Sequence, residues 1–396
     1  MFLKPSPGPG AIERNTWAIL PAACLLLTLN AACTKKNPPP QPYLAFVANH
    51  GSNTVAVVNL ATFRVIRSIA VPPGPTQVIA RPGSPELYVL SASGSVSVIG
   101  DPDLRVTATL PVGPAGTTAA NLVLAPDGSR AAASDSAGTI AIVDCMTWTV
   151  AGRVKVGGDL SGLAFTPDGK TLVAADRAGN RLVFVDAPTA KVLGEVQVGK
   201  SPGPMAMLPD GSKLFVADTG EPKISAVDVA SRQVLSHLEL ASDPVGLVLK
   251  PDGGELVAFS RDSATLTLLD TFHDDVEEDR PISTGKTPVA AVPTRDSTKL
   301  YILNSGPEGG SVQGIDLQNR APLGTTYVGA APAAIALTPD ERYLAVAATG
   351  ASSLAVLGTS PLNPKPKVPG TPLPLITTIP VGAGPVAVAI PGWLAE

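Results

Sequence analysis

Residues Gly162–Gly203 read GLAFTPDGKTLVAADRAGNRLVFVDAPTAKVLGEVQVGKSPG. Four short apolar runs lie in this stretch, and each ends at a turn signal. LAF ends at Pro167-Asp168-Gly169, LVAAD at Arg177-Ala178-Gly179-Asn180 and LVFVD at Ala187-Pro188-Thr189. The last run, KVLGEVQV, ends at Gly199-Lys200-Ser201-Pro202-Gly203. Apolar runs this short, bounded by Gly, Pro, Asn and Asp, read as strands. The stretch is therefore expected to form a four-stranded antiparallel meander.

The same phrasing recurs. Pro-Asp-Gly stands at Pro126, Pro167, Pro209 and Pro251, with altered copies at Pro82-Gly83-Ser84, Arg295-Asp296-Ser297 and Pro339-Asp340-Glu341. The first residues of these turns lie 44, 41, 42, 42, 44 and 44 residues apart. A fixed period in this range marks a repeat architecture. Pro at the second position of a type I turn, followed by Asp and Gly, supplies the hairpin chemistry. The two ends of the repeat region complement each other. Tyr43–Val71 has three strands but no first strand, and Pro385–Ile390 reads as that missing strand. Seven anchored units and one composite unit predict a single all-β propeller of eight four-stranded antiparallel blades. Its terminal strands share one blade, and closure leaves no long exposed edge.

The segment Phe46–Asn59, FVANHGSNTVAVVN, resembles the YVTN-type propeller repeat found in YncE-like proteins. The phrasing of Val198–Gly211 is similar, and the resemblance spans nearly all of Tyr43–Trp393. It implies the propeller fold and says little about activity. Seven blades is that family's commonest number and the alternative to eight; eight follows from the spacing.

Composition bounds the function classes. The 396 residues are 44% hydrophobic but only 4% aromatic, so Val, Leu, Ala and Ile must fill the core. With a net charge of −4 and no clustered Lys or Arg, the chain lacks the footprint of a nucleic-acid binder. Lys4 and Arg14 precede the apolar run Trp17–Leu29, which has signal-peptide length. Asn30-Ala31-Ala32-Cys33 follows and resembles a bacterial lipoprotein signal, with Cys33 as the lipidated residue. The expected organisation is a signal peptide over 1–32, a lipidated Cys and Pro-rich tether over 33–42, and the propeller over 43–396. The resemblance implies attachment to the cell envelope, at the outer membrane, with a soluble periplasmic or secreted protein as the alternative. Cys145 would then be the single cysteine of the propeller, read as a small core residue.

Successive turns of a meander alternate between two faces. The turns after the second strands and the inter-blade loops share one of them, the upper face. It carries His50, Asp135, Asp176-Arg177, Asp218, Ser260-Arg261 and Asn304, with Asp159, Lys200, Asp243 and Lys286 on the inter-blade loops. Asp159, Asp176, Arg177, Lys200, Asp218, Asp243, Arg261 and Lys286 are the candidate ligand-binding residues. The Asp residues also suit backbone-capping turns. On the lower face, Phe272–Arg280 reads as an acidic loop and Ser360–Leu375 as a Pro-rich insertion.

No zinc-ligand spacing, haem-attachment motif, phosphate loop or nucleophile elbow occurs. The expectation is a non-enzymatic, envelope-anchored binding scaffold. It would be monomeric, without cofactor or metal, and its upper face would meet a protein, peptide or glycan. Two alternatives remain. One is a lactonase-like hydrolase using His50, Arg177 and Arg261 at the channel mouth. The other is an accessory role in a quinone or haem redox system.

Overall fold

The computed structural model describes residues 43–100, 102–260, 264–306, 309–359 and 372–392, without the side chains of 277–281. The proposed signal peptide and tether, Cys33, Arg261 and most of the Pro-rich insertion lie outside the described residues. Eight four-stranded antiparallel sheets follow one another along the chain. Blade 1 is composite: Leu44–Asn49, Thr54–Asn59 and Arg64–Ala70 are completed by Pro385–Ala389, which pairs with the first of these. Blades 2 to 8 occupy residues 75–111, 119–155, 160–197, 202–239, 244–283, 288–329 and 332–380 in turn. Their innermost strands touch their neighbours in a closed circle. The chain is an eight-bladed propeller, as the turn spacing predicts.

Within each blade, burial follows strand position. Thr171–Asp176 and Arg181–Asp186, the second and third strands of blade 4, are buried on both faces apart from residues at their ends. The outer strand of blade 3, Thr149–Lys155, alternates exposed and half-buried positions. Alternation marks a strand with one face in water, whereas continuous apolar runs mark strands covered on both sides. The apolar side chains collect into eight clusters, each shared by two adjacent blades. Ile140 and Ile142 of blade 3, for example, pack with Leu172, Val183 and Val185 of blade 4. Blade 1 packs Val47 and Val58 toward blade 8, and Phe46 and Val57 toward blade 2.

The Pro-Asp-Gly turns also join blades. In each, the glycine N–H donates to the carbonyl of the residue before the proline, as from Gly211 to Leu208 at 2.9 Å. The aspartate accepts the N–H two residues on, as Asp168 does from Lys170 at 3.0 Å. The Thr166 hydroxyl and this amide hold the Asp168 carboxyl below its ordinary range. Gly211 has φ +74°, and a Cβ there would lie 2.8 Å from Pro167 Cδ in the preceding blade's turn. Where the glycine is missing, the side chain makes the link instead. Ser297 Oγ accepts the Asp252 N–H at 3.2 Å, and Glu341 Oε1 accepts the Arg295 N–H at 2.6 Å.

One expectation changes in detail, and the reading of Cys145 as a core residue holds. The acidic run is not wholly a loop, because Asp275–Ser283 forms the outer strand of blade 6. Asp274, at its start, is tied to Lys213 of blade 5 at 2.5 Å. Cys145 is fully buried in the cluster between blades 2 and 3, and burial pushes its thiol up to about 11. A thiol held protonated and inaccessible is no nucleophile.

Gly211→Ala should lower stability by more than Gly83→Ala. Both glycines are left-handed, but a Cβ at Gly83 meets nothing within 4 Å. The left-handed term costs about 1–2 kcal/mol in each, and crowding against Pro167 adds to it only at Gly211. Urea unfolding of the two variants measures the difference; equal losses would show that the turn-to-turn packing carries no weight.

Candidate functional site

The upper face is built around one recurring position near the end of each second strand. In blades 1 to 8 it holds Asn49, Ser91, Asp135, Asp176, Asp218, Ser260, Asn304 and Ala348. The seven polar residues in this set are each at most 6% exposed. Asp135, Asp176 and Asp218 lie beneath the incoming inter-blade loop. That loop can close over them because its glycine has no side chain. A Cβ would fall 2.5 Å from Asp176 Cγ at Gly157, 2.4 Å from Asp218 Cγ at Gly199, and 2.0 Å from Asp135 Oδ2 at Gly113. Gly285 and Gly382 stand in the same relation to Asn304 and Asn49, at 2.7 Å. Where the buried residue shrinks to Ser91 or Ser260, the loop carries Pro72 or Ala241 at this position. The bulk of one position sets what the other accepts.

Asp135, Asp176 and Ser260 serve the backbone. Asp135 Oδ1 accepts the N–H groups of Ala137 and Thr139 at 3.0 and 2.8 Å. Asp176 Oδ1 accepts from Gly179 at 3.2 Å, and its Oδ2 meets Arg181 Nε at 3.0 Å. Arg181 is the partner that the sequence analysis missed; its position five residues after Asp176 across a hairpin was the available signal.

Asp218 differs from the others. Its Oδ2 accepts from Ser225 Oγ at 2.7 Å, and Ser225 Oγ lies 2.9 Å from His237 Nδ1. The three residue types are those of a hydrolytic triad, but the order is not. Here the serine is central and fully buried, whereas a nucleophilic serine stands at the end, next to the histidine. Burial pushes the Asp218 carboxyl up to about 6.

The remaining candidates lie on the rim. Arg177 pairs with Asp159 at 3.4 Å, with side chains 47% and 53% exposed, so the pair contributes about 1 kcal/mol or less. Lys200, Asp243 and Lys286 are exposed on their inter-blade loops. The Lys200 N–H donates to Glu221 Oε1 at 2.9 Å. His50 is exposed in blade 1, and its imidazole lies over Gly74. His50 stands in blade 1 and Arg177 in blade 4, with two blades between them. Among the described residues, no three His, Cys, Asp or Glu side chains are placed to hold a metal ion.

Blade 7 breaks the pattern. Its second and third strands, Lys299–Gly306 and Gly309–Asp316, are eight residues long where the other blades have six. The extended hairpin borders an upper-face cleft of about 260 Å³, lined by Thr284, Lys286, Asn304, Ser311, Thr325 and Tyr327 with three glycines.

No protein-family model and no curated protein matches the sequence. Solved structures do resemble it. Hydrazine synthase of Kuenenia stuttgartiensis is 22% identical with a TM-score of 0.54, over 67% of this chain and 87% of that one. The dihydro-heme d1 dehydrogenase NirN, solved in complex with DHE, is 14% identical with a TM-score of 0.73, over 89% of this chain and 76% of its own. The C-terminal WD40 domain of Sif2 is 15% identical with a TM-score of 0.65, over 77% and 86%.

Two outcomes follow from this geometry. Gly157→Ala should destabilise the fold, and Asp176→Ser in the same chain should recover part of the loss, reproducing the pairing of Ala241 with Ser260. A double-mutant cycle by thermal unfolding reads the coupling; strictly additive losses would refute it. The raised Asp218 carboxyl binds its proton more tightly in the folded chain than in the unfolded one. Stability should therefore fall as pH rises from about 4, the unfolded carboxylate value, through about 6. Asp218→Asn should flatten that slope and gain relative stability at pH 7, as measured by unfolding across the pH range. At the level of fold, the solved structures place this chain among the β-propellers.

Proposed function

We propose that this chain is a non-enzymatic binding scaffold, held at the bacterial envelope, that presents the upper face of its propeller to a partner. The observation that carries the reading is the contrast between the blades. In seven blades the second and third strands are six residues long, and the one blade where they reach eight extends them on the upper face, beside a polar cleft. Lys286 lines this cleft, and the inter-blade loops of the same face carry exposed Lys200 and Asp243. The repeat phrasing of Phe46–Asn59 supports membership of the YVTN-type propellers, and Cys33 in its Ala-Ala-Cys context supports lipid anchoring. An acylated Cys33 would fix the propeller to a membrane through buried methylenes, each contributing about 0.8 kcal/mol.

The test uses the full chain in its bacterial host. Wild type should fractionate with membranes and Cys33→Ser should not. The partner cross-linked to wild type should be lost on charge reversal at Lys200 and Lys286 and retained on charge reversal at Asp252, on the lower face. Retention in the upper-face variant, or turnover of lactones by the purified wild type, would overturn the reading.

A further inference from the structure

In six of the blades, the polar residue near the end of the second strand makes local bonds or is small, although Asn49 Oδ1, Asp135 Oδ2 and Asp218 Oδ1 also lack a partner among the described residues. Asp135 and Asp176 cap the turn that follows, and Asn49 Nδ2 donates to Thr54 Oγ1 at 3.2 Å. Blade 7 removes that work. Beyond Asn304 the strand continues, and Ser305 and Gly306 pair with Gly310 and Gly309 across the hairpin. No turn N–H is left near Asn304 for its amide to cap. Asn304 is 2% exposed, and neither its Oδ1 nor its Nδ2 has a hydrogen-bond partner among the described residues. Leaving such a group without a partner is unfavourable. An amide in this state is a site prepared for a ligand that both donates and accepts.

The rest of the cleft narrows the ligand's chemistry. Its lining contains no aliphatic residue, so it has no pocket for an apolar side chain of a peptide. Thr284, Ser311 and Thr325 add hydroxyls that donate or accept. Tyr327 is 65% exposed at the lip, an unusual position for so large a ring. An aromatic face of this kind suits the C–H face of a pyranose. Lys286 is exposed, with no ion pair among the described residues, and supplies a single positive charge. A volume of about 260 Å³ is of the order of one or two sugar rings, and polar atoms converging in a small cleft are the mark of an orientation-specific site.

We propose that the blade 7 cleft binds a carboxylate-bearing saccharide unit. The Asn304 amide is bonded to adjacent ring hydroxyls, Tyr327 lies on the ring face and Lys286 meets the carboxylate. This deepens the scaffold reading and rests on it.

The experiment titrates the full chain, in detergent, with trigalacturonic acid, neutral galactotriose and a random tripeptide pool, followed by calorimetry. Trigalacturonic acid should bind more tightly than galactotriose. Asn304→Ser should weaken both sugars about 10-fold or more, from the hydrogen bonds lost. Serine occupies this position in blades 2 and 6, and an unchanged thermal midpoint checks that the variant folds. Tyr327→Ala should weaken both sugars. Lys286→Gln should remove the preference for the acidic sugar and spare galactotriose. Absence of sugar binding at millimolar concentration, binding unmoved by Asn304→Ser, or binding of the peptides instead would overturn the inference. A cross-linked partner that is lost on charge reversal at Lys200 and Lys286 but indifferent to Asn304→Ser would sink the saccharide site and leave the scaffold reading standing.

Discussion

The structure depends on the burial of each blade between two neighbours. A four-stranded sheet whose second and third strands are apolar on both faces is insoluble alone. It is stable only when another sheet covers each side. Each of the eight clusters is therefore an interface and not the interior of one blade. A row of such sheets would end in two bare faces, and a ring has none. The composite blade follows from the same constraint. Pro385–Ala389 belongs in the first blade, because its pairing with Leu44–Asn49 brings both ends of the repeat region into one covered sheet.

The two faces of the ring use the same residue types for different purposes. On the lower face, Asp and Gly make hairpins whose tips pack blade upon blade, and Ser297 and Glu341 replace a steric contact with a hydrogen bond. On the upper face, Asp or Asn is buried by a glycine loop that has room for it. Both arrangements are structural, and both recur because every blade must meet its neighbour in the same way. Function is therefore better sought where the repetition fails. Blade 7 fails to repeat at its upper hairpin, and there a buried amide is left without a partner.

Hydrazine synthase and the dihydro-heme d1 dehydrogenase resemble this chain in fold and share little of its sequence. A propeller supplies a rigid ring with loops at its mouth, and unrelated chemistries use it. The likeness accounts for how this chain folds, while its activity has to be read from its own rim and cleft.

Strands, turns and the blade number were legible in the sequence because they are local. Apolar runs of about six residues, Pro-Asp-Gly punctuation and a period near 42 are set by neighbours along the chain. The burial of Asp176 and Asp218 was not legible. It depends on Gly157 and Gly199, which lie 19 residues earlier and reach them only once the inter-blade loop has crossed the end of the blade. The pairing of Arg181 with Asp176, the serine-centred chain at Ser225 and the orphaned amide of Asn304 are of the same kind. Sequence spacing determined which residues share a face; packing decided which of them are covered, which are partnered and which remain free, because those outcomes depend on distances between strands that only the closed ring brings together.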